Sequence, residues 1–404
     1  GRNMEFTYCK LIDVLSNIHS GGTPSTRESS YWGGKIKWLS SGETSQRFIS
    51  DTIDKITDEG VKNSSTKLAS KGSIVMACAG QGKTRGQTSY LLDDMYINQS
   101  VIALETNESV LPLYLFYDLS SRYEELRGGS DASSTRGSIT TTSLKNLSFK
   151  YPDLSTQQSI VDILWGYDSL IEANNRRIEL LEQTAQELYK EWFVRFRFPG
   201  YENAKFEDGF PKGWTIKRLA DYGRVETGKT PSTDVLENYG GEMMFVKTPD
   251  MHGNIFIIQT EDKLSERGHN AQPKKLLPAN SIMVSCIGTA GVVSINAEPA
   301  HTNQQINSII LNNPNELEWL YHTCKSLKDT IELFGATGAT MTNLSKGKFE
   351  KLKVVDPRED LILEYHNKVH PLFNEIKSLM YQNQNLAAQR DMLLPRLMSG
   401  KLEM

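Results

Sequence analysis

Residues 67–80 read KLASKGSIVMACAG, and residues 275–288 read KLLPANSIMVSCIG. Each contains a short, continuous apolar run opened by serine and closed by glycine, the pattern of a strand buried on both faces. The two stretches stand 208 positions apart and place Cys78 opposite Cys286. A buried strand that occurs twice raises the question of how much of its surroundings was copied with it.

Nearly everything was. At an offset of 207, Gly21, Thr23, Pro24, Ser25 and Thr26 of GGTPST meet Gly228, Thr230, Pro231, Ser232 and Thr233 of GKTPST, and WGGKIKW (32–38) meets YGGEMMF (239–245). At 205, Asn98-Gln99 meets Asn303-Gln304, and LKNLSFKYP (144–152) meets FEKLKVVDP (349–357). Order is kept and the offset hardly drifts, so one fold was duplicated with insertions confined to loops. Within each copy, β-rich runs such as KIKWLS (35–40) and SVIALE (100–105) lie between Gly, Ser and Asn clusters. A helical stretch follows near 111–126 and 315–334. After one more strand, Pro152 and Pro357 each introduce a long helix.

Those helices carry the strongest periodicity. Ile160, Leu164, Tyr167, Ile171, Asn174, Ile178, Leu181, Ala185, Leu188 and Trp192 step alternately by four and three, a heptad seam. Tyr365, Val369, Leu372, Ile376, Leu379, Asn383, Leu386, Arg390, Leu393 and Leu397 keep the same phase. One asparagine in each seam is expected to fix register. Gly166 and Pro371 occupy equivalent places, where both helices are expected to break or kink. About 30 residues follow each break, or ~45 Å of helix. The fold class is therefore α+β, with two similar mixed globules joined by two long helices that form an intramolecular antiparallel coiled coil with pseudo-two-fold symmetry. The expected boundaries are a first globule at 1–151, a first helical arm at 152–197, a linker at 198–214, a second globule at 215–356 and a second arm at 357–404.

Composition narrows the function. The chain has 404 residues, 38% of them hydrophobic, and 45 basic against 49 acidic side chains for a net charge of −4. Bulk attraction to a polyanion is excluded, so any nucleic-acid surface is local. Four cysteines without CxxC spacing suggest neither a disulfide framework nor a zinc knuckle. With no apolar run of roughly 20 residues and no signal-peptide pattern, a cytoplasmic location without membrane contact is expected.

Run twice, the order GGTPS, YWGG, SIVMACAG, INQS, a proline-led strand and a heptad helix resembles the specificity subunit of type I restriction-modification enzymes. QELYKEWFVRFRFPGYE (186–202) and RDMLLPRLMSGKL (390–402) resemble that family's central and C-terminal repeats. The resemblance implies two target-recognition domains, each reading half of a split double-stranded DNA site. It also implies arms that recruit two methylation subunits and, through them, restriction subunits. Catalysis, with S-adenosylmethionine and with ATP and Mg, would belong to those partners, leaving this chain without catalytic residues or cofactors. Lys229 replaces the second glycine of the family loop, which puts the tightness of the second turn in question.

Candidate DNA contacts follow from side-chain chemistry. In ACAGQGKT (77–84), Gln81 and Lys83, followed by Arg85, suit phosphate or guanine. The same string fits a relaxed phosphate-loop pattern, giving the alternative of a nucleotide hydrolase built on Lys83 and Thr84. That reading needs a helix after the loop, where RGQTSYLLDD (85–94) reads as turn and strand. Asn98, Gln99, Asn303 and Gln304 can donate and accept together against adenine, or merely cap loop backbone. Ser40, Ser41 and Glu43, with counterparts Lys247, Thr248 and Asp250, lie just past a strand and differ between copies, as two readers of different sequences would. Thr289 occupies the loop equivalent to Lys83, while Arg136 and Thr340 lie in the small, polar stretches GGSDASSTRGSITT (128–141) and GATGATMTN (335–343). His366 and His370 share a helical face but lack the following Glu of HExxH, so no metal is expected. A second alternative is a coiled-coil scaffold that never touches DNA.

Overall fold

The computed structural model describes residues 4–80, 82–131, 137–336 and 342–401, which form two compact units: 1–170 with 386–404, and 171–385. The first unit is built on a five-stranded sheet with the order Leu15–Ser20, Val101–Thr106, Ile74–Ala77, Thr88–Leu91, Phe48–Ile49. In the second, Gly223–Thr227, Ile306–Leu311, Ile282–Ser285, Val293–Asn296 and Phe256–Ile257 repeat that order strand for strand. Both sheets are antiparallel except for the last pair, Phe48 with Tyr90 and Phe256 with Ile295, which is parallel in each. The duplication read from sequence is therefore a duplication of topology.

The continuous apolar runs are explained by cover on both faces. Ile74 and Met76 join one core with Ile102, Leu104 and the helix Pro112–Ser121, whereas Val75 joins Leu39, Ile97 and Ala103 on the other face. In the second unit, Ile282, Val284 and Cys286 point into one core and Met283 into another. Burial pushes the Cys286 thiol up to about 11, so this cysteine serves as a small hydrophobe.

The long helices span Leu154–Tyr189, extended by a π-helical turn at Lys190–Val194, and Glu359–Ser399. Asp153, one residue after Pro152, caps the first: its carboxylate accepts the Thr156 N–H at 3.0 Å, which holds its pKa below the ordinary value. Of the break or kink expected at Gly166 and Pro371, the break does not occur: both helices run through these residues. An interior glycine costs about 1 kcal/mol and a proline about 3 kcal/mol. Burial of Leu164 beside the first, and of Val369 and Phe373 beside the second, offsets this at ~1.5–3 kcal/mol per side chain.

Both seams face inward, and in each unit a piece of one helix lies antiparallel to a piece of the other. In the second unit Asn174 Nδ2 donates to Asn383 Oδ1 at 2.9 Å, and the Tyr365 hydroxyl donates to the Ala185 carbonyl at 3.2 Å. The two seam asparagines are thus joined, and the Asn383 amide donates in turn to Asn175 Oδ1 at 2.9 Å. In the first unit Leu394, Leu397 and Met398 pack with Ile160 and Leu164. Each long helix accordingly starts in one unit and ends in the core of the other, so the compact units cut through both arms instead of ending where the arms begin. The expected linker at 198–214 is packed too, with Trp214 against Phe193 and Phe196 at ring distances of 6.2 and 5.4 Å. Among the described residues, no helix is long and apolar enough to cross a membrane.

Candidate nucleic-acid interface

The Thr-Pro-Ser loops and the Asn-Gln pairs are built against each other in both copies. Gly21 and Gly22 donate to the carbonyls of Asn98 and Ile97 at 3.2 and 3.1 Å; Gly228 and Lys229 donate to those of Ile306 and Thr302 at 3.2 and 3.0 Å. The approach is too close for a side chain at the first position. A Cβ on Gly21 would stand 1.9 Å from the Ile97 oxygen, and one on Gly228 would stand 2.1 Å from that of Asn303. The second position differs between copies: a Cβ on Gly22 would stand 2.0 Å from Ser65 Oγ and 2.7 Å from its backbone, but in the other copy Lys229 is accepted and its carbonyl takes a bond from Gln272 Nε2 at 2.7 Å. The substitution that put the second turn in question therefore leaves the loop closed.

This contact organises the polar pair behind it. Asn98 Oδ1 accepts the Ser100 N–H at 3.0 Å and Asn303 Oδ1 accepts the Gln305 N–H at 3.1 Å, so both asparagines cap loop backbone. Gln99 and Gln304 are exposed, and the carbonyl of each accepts a hydroxyl proton, from Thr23 and from Thr230 (2.5 Å) respectively. With its oxygen engaged, each glutamine has its NH₂ group, a two-proton donor, to offer a ligand. That donor suits an acceptor such as guanine O6, thymine O4 or adenine N7, and the carbonyl keeps a second lone pair for a donor such as the adenine amino group. Replacing Gln304 by Ala should reduce modification about tenfold or more at one half of a target, the equivalent of at least ~1.4 kcal/mol, and Gln99→Ala at the other half. Competitive methylation of targets altered in a single half checks the assignment.

The residues past the first central strand take a different role from the expected one. Glu43 is buried and its carboxylate accepts the Ser40 N–H at 3.1 Å, the Ser40 hydroxyl at 3.2 Å and the Ile53 N–H at 2.8 Å. Asp250 accepts from the Lys247 and Glu261 N–H groups at 2.8 and 3.1 Å. Both carboxylates are spent on the same turn, so Glu43 and Asp250 are structural despite their different identities. Ser41 also turns its carbonyl inward, to the Thr44 hydroxyl at 2.7 Å. Thr248 is buried with its hydroxyl unpaired, which removes it from the expected surface. Lys247 stays half exposed; its ammonium bonds Asp262, which raises its pKa.

The loop after Ile74–Ala77 leads straight into Thr88–Leu91, and its glycines adopt positive φ (Gly80 +120°, Gly82 +66°, Gly86 +89°). Among the described residues this loop opens a strand and not a helix, so the phosphate-loop alternative lacks the element that would hold a nucleotide. Lys83 is exposed, and its carbonyl accepts the Tyr123 hydroxyl at 2.7 Å. Arg85 is a correction: only 9% exposed, it donates to the Gly137 carbonyl and the Asp131 carboxylate, while Arg127 donates to its own carbonyl at 2.9 Å. Its guanidinium anchors the loop to the helix Tyr123–Asp131. Thr289 is exposed at the equivalent place in the second unit, its carbonyl accepting the Ser285 hydroxyl at 2.7 Å. Gln81, Arg136 and Thr340 lie outside the described residues. Sequence reading missed Gln87 and Tyr123, which line an open cleft of about 320 Å³ with Thr44, Arg47 and Lys83. It also missed Glu318, which joins His366 and His370 from another helix.

With this geometry described, comparison with known proteins is decisive. Residues 3–183 and 211–359 match the type I restriction modification DNA specificity domain, one match on each copy of the repeat. This chain belongs to the type I restriction-modification specificity family. It is 32% identical to the type I restriction enzyme HindI specificity subunit of Haemophilus influenzae over 91% of this chain and 94% of that one. Identity to the MjaIX specificity subunit of Methanocaldococcus jannaschii is 27%, covering 97% and 93%. The specificity subunit fold extends to the solved S subunit of the type I system of M. genitalium, with a TM-score of 0.58 at 15% identity and coverage of 98% and 97%.

Proposed function

We propose that this specificity subunit reads a bipartite double-stranded DNA site, one half by each unit, in a complex with two methylation subunits and, through them, restriction subunits. The observation that carries this is the recurrence, in both copies, of an exposed glutamine whose oxygen is clamped by the threonine of the Thr-Pro-Ser loop. The same device set in different surroundings suits two readers of different bases. Lys83, Lys247 and Thr289 supply nearby phosphate or base contacts. The long helices, of 36 and 41 residues or ~54 and ~62 Å, set the spacing of the half-sites. Half-sites one DNA turn apart lie ~34 Å from each other, within that reach.

The chain supplies recognition and its partners supply chemistry: S-adenosylmethionine for methyl transfer and ATP with Mg for restriction are bound by the other subunits, in the cytoplasm. Sequencing of modified bases in cells carrying the complex should show one split motif. Exchange of residues 1–151 for the corresponding part of another specificity subunit should then replace one half of the motif and leave the other half and the spacing intact. A continuous motif, or replacement of both halves, would defeat the assignment. Absence of any footprint from the assembled complex would favour the scaffold reading.

A further inference from the structure

We infer that Glu318, His366 and His370 form a site for one divalent cation of borderline softness, with zinc the best fit. Glu318 lies in the helix Leu317–Ser326, and the two histidines stand one turn apart on the second long helix. Nδ1 of His366 is 2.6 Å from Glu318 Oε2, and Nδ1 of His370 is 2.6 Å from Oε1. The imidazole rings lie 4.6 Å apart at 33°, and the three donor atoms all fall within 4.8 Å of one another. The carboxylate side chain is 0% exposed, whereas that of His370 is 44% exposed. One side of the cluster is thus open to an entering ion and to water.

The donor set selects the cation. Two imidazoles and one carboxylate match zinc, which takes nitrogen at ~2.0–2.1 Å and carboxylate oxygen at ~2.0–2.2 Å, with water as a fourth ligand. Magnesium and calcium prefer all-oxygen shells. Tetrahedral donors at those lengths stand ~3.3 Å apart, so the two 2.6 Å pairs must open slightly and the widest pair of donors must close, a shift that the exposed His370 permits. Without an ion each Nδ1 bonds the carboxylate; with one, each ring presents its Nδ1 lone pair to the metal and carries its proton on Nε2.

The site belongs to one copy alone. At the offset of 205 that aligns the two helical regions, the corresponding residues of the first unit are Leu113, Val161 and Trp165, and Trp165 packs on Phe48 at a ring distance of 5.1 Å. Among the described residues no second such cluster occurs, so one ion per chain is expected. Its mechanical effect is local: it ties the helix Leu317–Ser326 to the turn of the long helix where Pro371 removes a backbone donor.

The intact chain, freed of metal by a chelator, should bind one equivalent of Zn²⁺ in calorimetric titration. Zn²⁺ should raise Tm by a few °C at saturating concentration, and Co²⁺ in its place should show the strong visible absorption of a low-symmetry site. His370→Gln changes the most exposed ligand and should keep the wild-type circular dichroism while weakening Zn²⁺ binding at least a hundredfold and abolishing the Co²⁺ spectrum. Cys9→Ser and Cys78→Ser should leave both signals unchanged. The inference is overturned if the wild-type chain binds no stoichiometric Zn²⁺, if binding survives in a folded His366→Gln/His370→Gln variant, or if the cysteine substitutions remove it.

Discussion

Replacing Arg390 by alanine should destabilise the first unit by about 3–5 kcal/mol, the usual penalty for stranding one partner of a buried ion pair. Asp168 is 2% exposed and receives three donors: Arg390 Nη1 at 2.5 Å, the Tyr117 hydroxyl at 2.7 Å and Arg47 Nη2 at 3.3 Å. Truncation removes the nearest charge and leaves the carboxylate, beside Leu164, Phe116 and Leu394, with the Tyr117 hydroxyl and the longer Arg47 contact alone. The second unit shows how the same positions are filled without charge. Phe373 stands for Asp168, Ala185 for Arg390, Ile255 for Arg47 and His322 for Tyr117, within one hydrophobic core for the first three. Transplanting that solution as Arg47→Ile, Tyr117→Phe, Asp168→Phe and Arg390→Ala should bring stability back to within ~2 kcal/mol of wild type, because an ion network replaced whole leaves no orphan. Hydrogen exchange locates the effect: amides of Pro112–Ser121 should lose protection in Arg390→Ala and regain it in the fourfold variant, while those of Leu317–Ser326 stay constant. Equal protection in wild type and Arg390→Ala would mean that the pair contributes nothing.

How far the sequence reached follows from which residues decide each feature. The duplication of the strands was legible because runs such as Ile74–Ala77 and Ile282–Ser285 are apolar on both faces and recur in order; the order in which they pair was not, since nothing local in a strand names its neighbour. The asparagine pair was legible as well: Asn174 and Asn383 are 209 residues apart, but each interrupts a seam whose phase is local. Side-chain fate in the loops was not. Glu43 looked like a variable reader although Ser40, three residues before it, offered a capping box; its third partner, the Ile53 N–H, comes from a segment that no periodicity links to it. Arg85 looked like a phosphate contact because Asp131 and Gly137 reach it from 46 and 52 positions away. Local pattern reports which face a residue lies on, whereas partners depend on tertiary approach. One signal was available and went unread. Arg390 in one seam aligns with Ala185 in the other, and Asp168 with Phe373, so charges replaced together between copies marked a buried pair.

A longer pair of helices should change the DNA spacing that is read without changing the bases. The deletions that the heptad pattern first suggests, near 171–184 and 376–389, would remove Ile376 and Tyr381, which pack on the second unit's core, and Gln384, which bonds Gln259 at 2.8 Å. Damage there would mimic a spacing effect. The division between compact units gives cleaner positions, after Leu170 and after Asn385. Both lie between the Asp168–Arg390 pair and the Asn174–Asn383 pair, so an insertion at each separates two registers that each unit keeps for itself. Seven residues add ~10.5 Å at 1.5 Å per residue and preserve the heptad phase to within ~20°. At 3.4 Å per base pair, that is about three base pairs. On the original target, one unit would then lose its base contacts. Each base pair no longer matched costs ~1–3 kcal/mol, so loss of two lowers modification by roughly thirtyfold or more. Methylation of a library with the two half-motifs held constant and the spacer varied should recover activity at the longer spacing. An unchanged optimum would show that the helices do not set the distance, while altered half-motif bases would show that the insertions had disturbed the reading loops themselves.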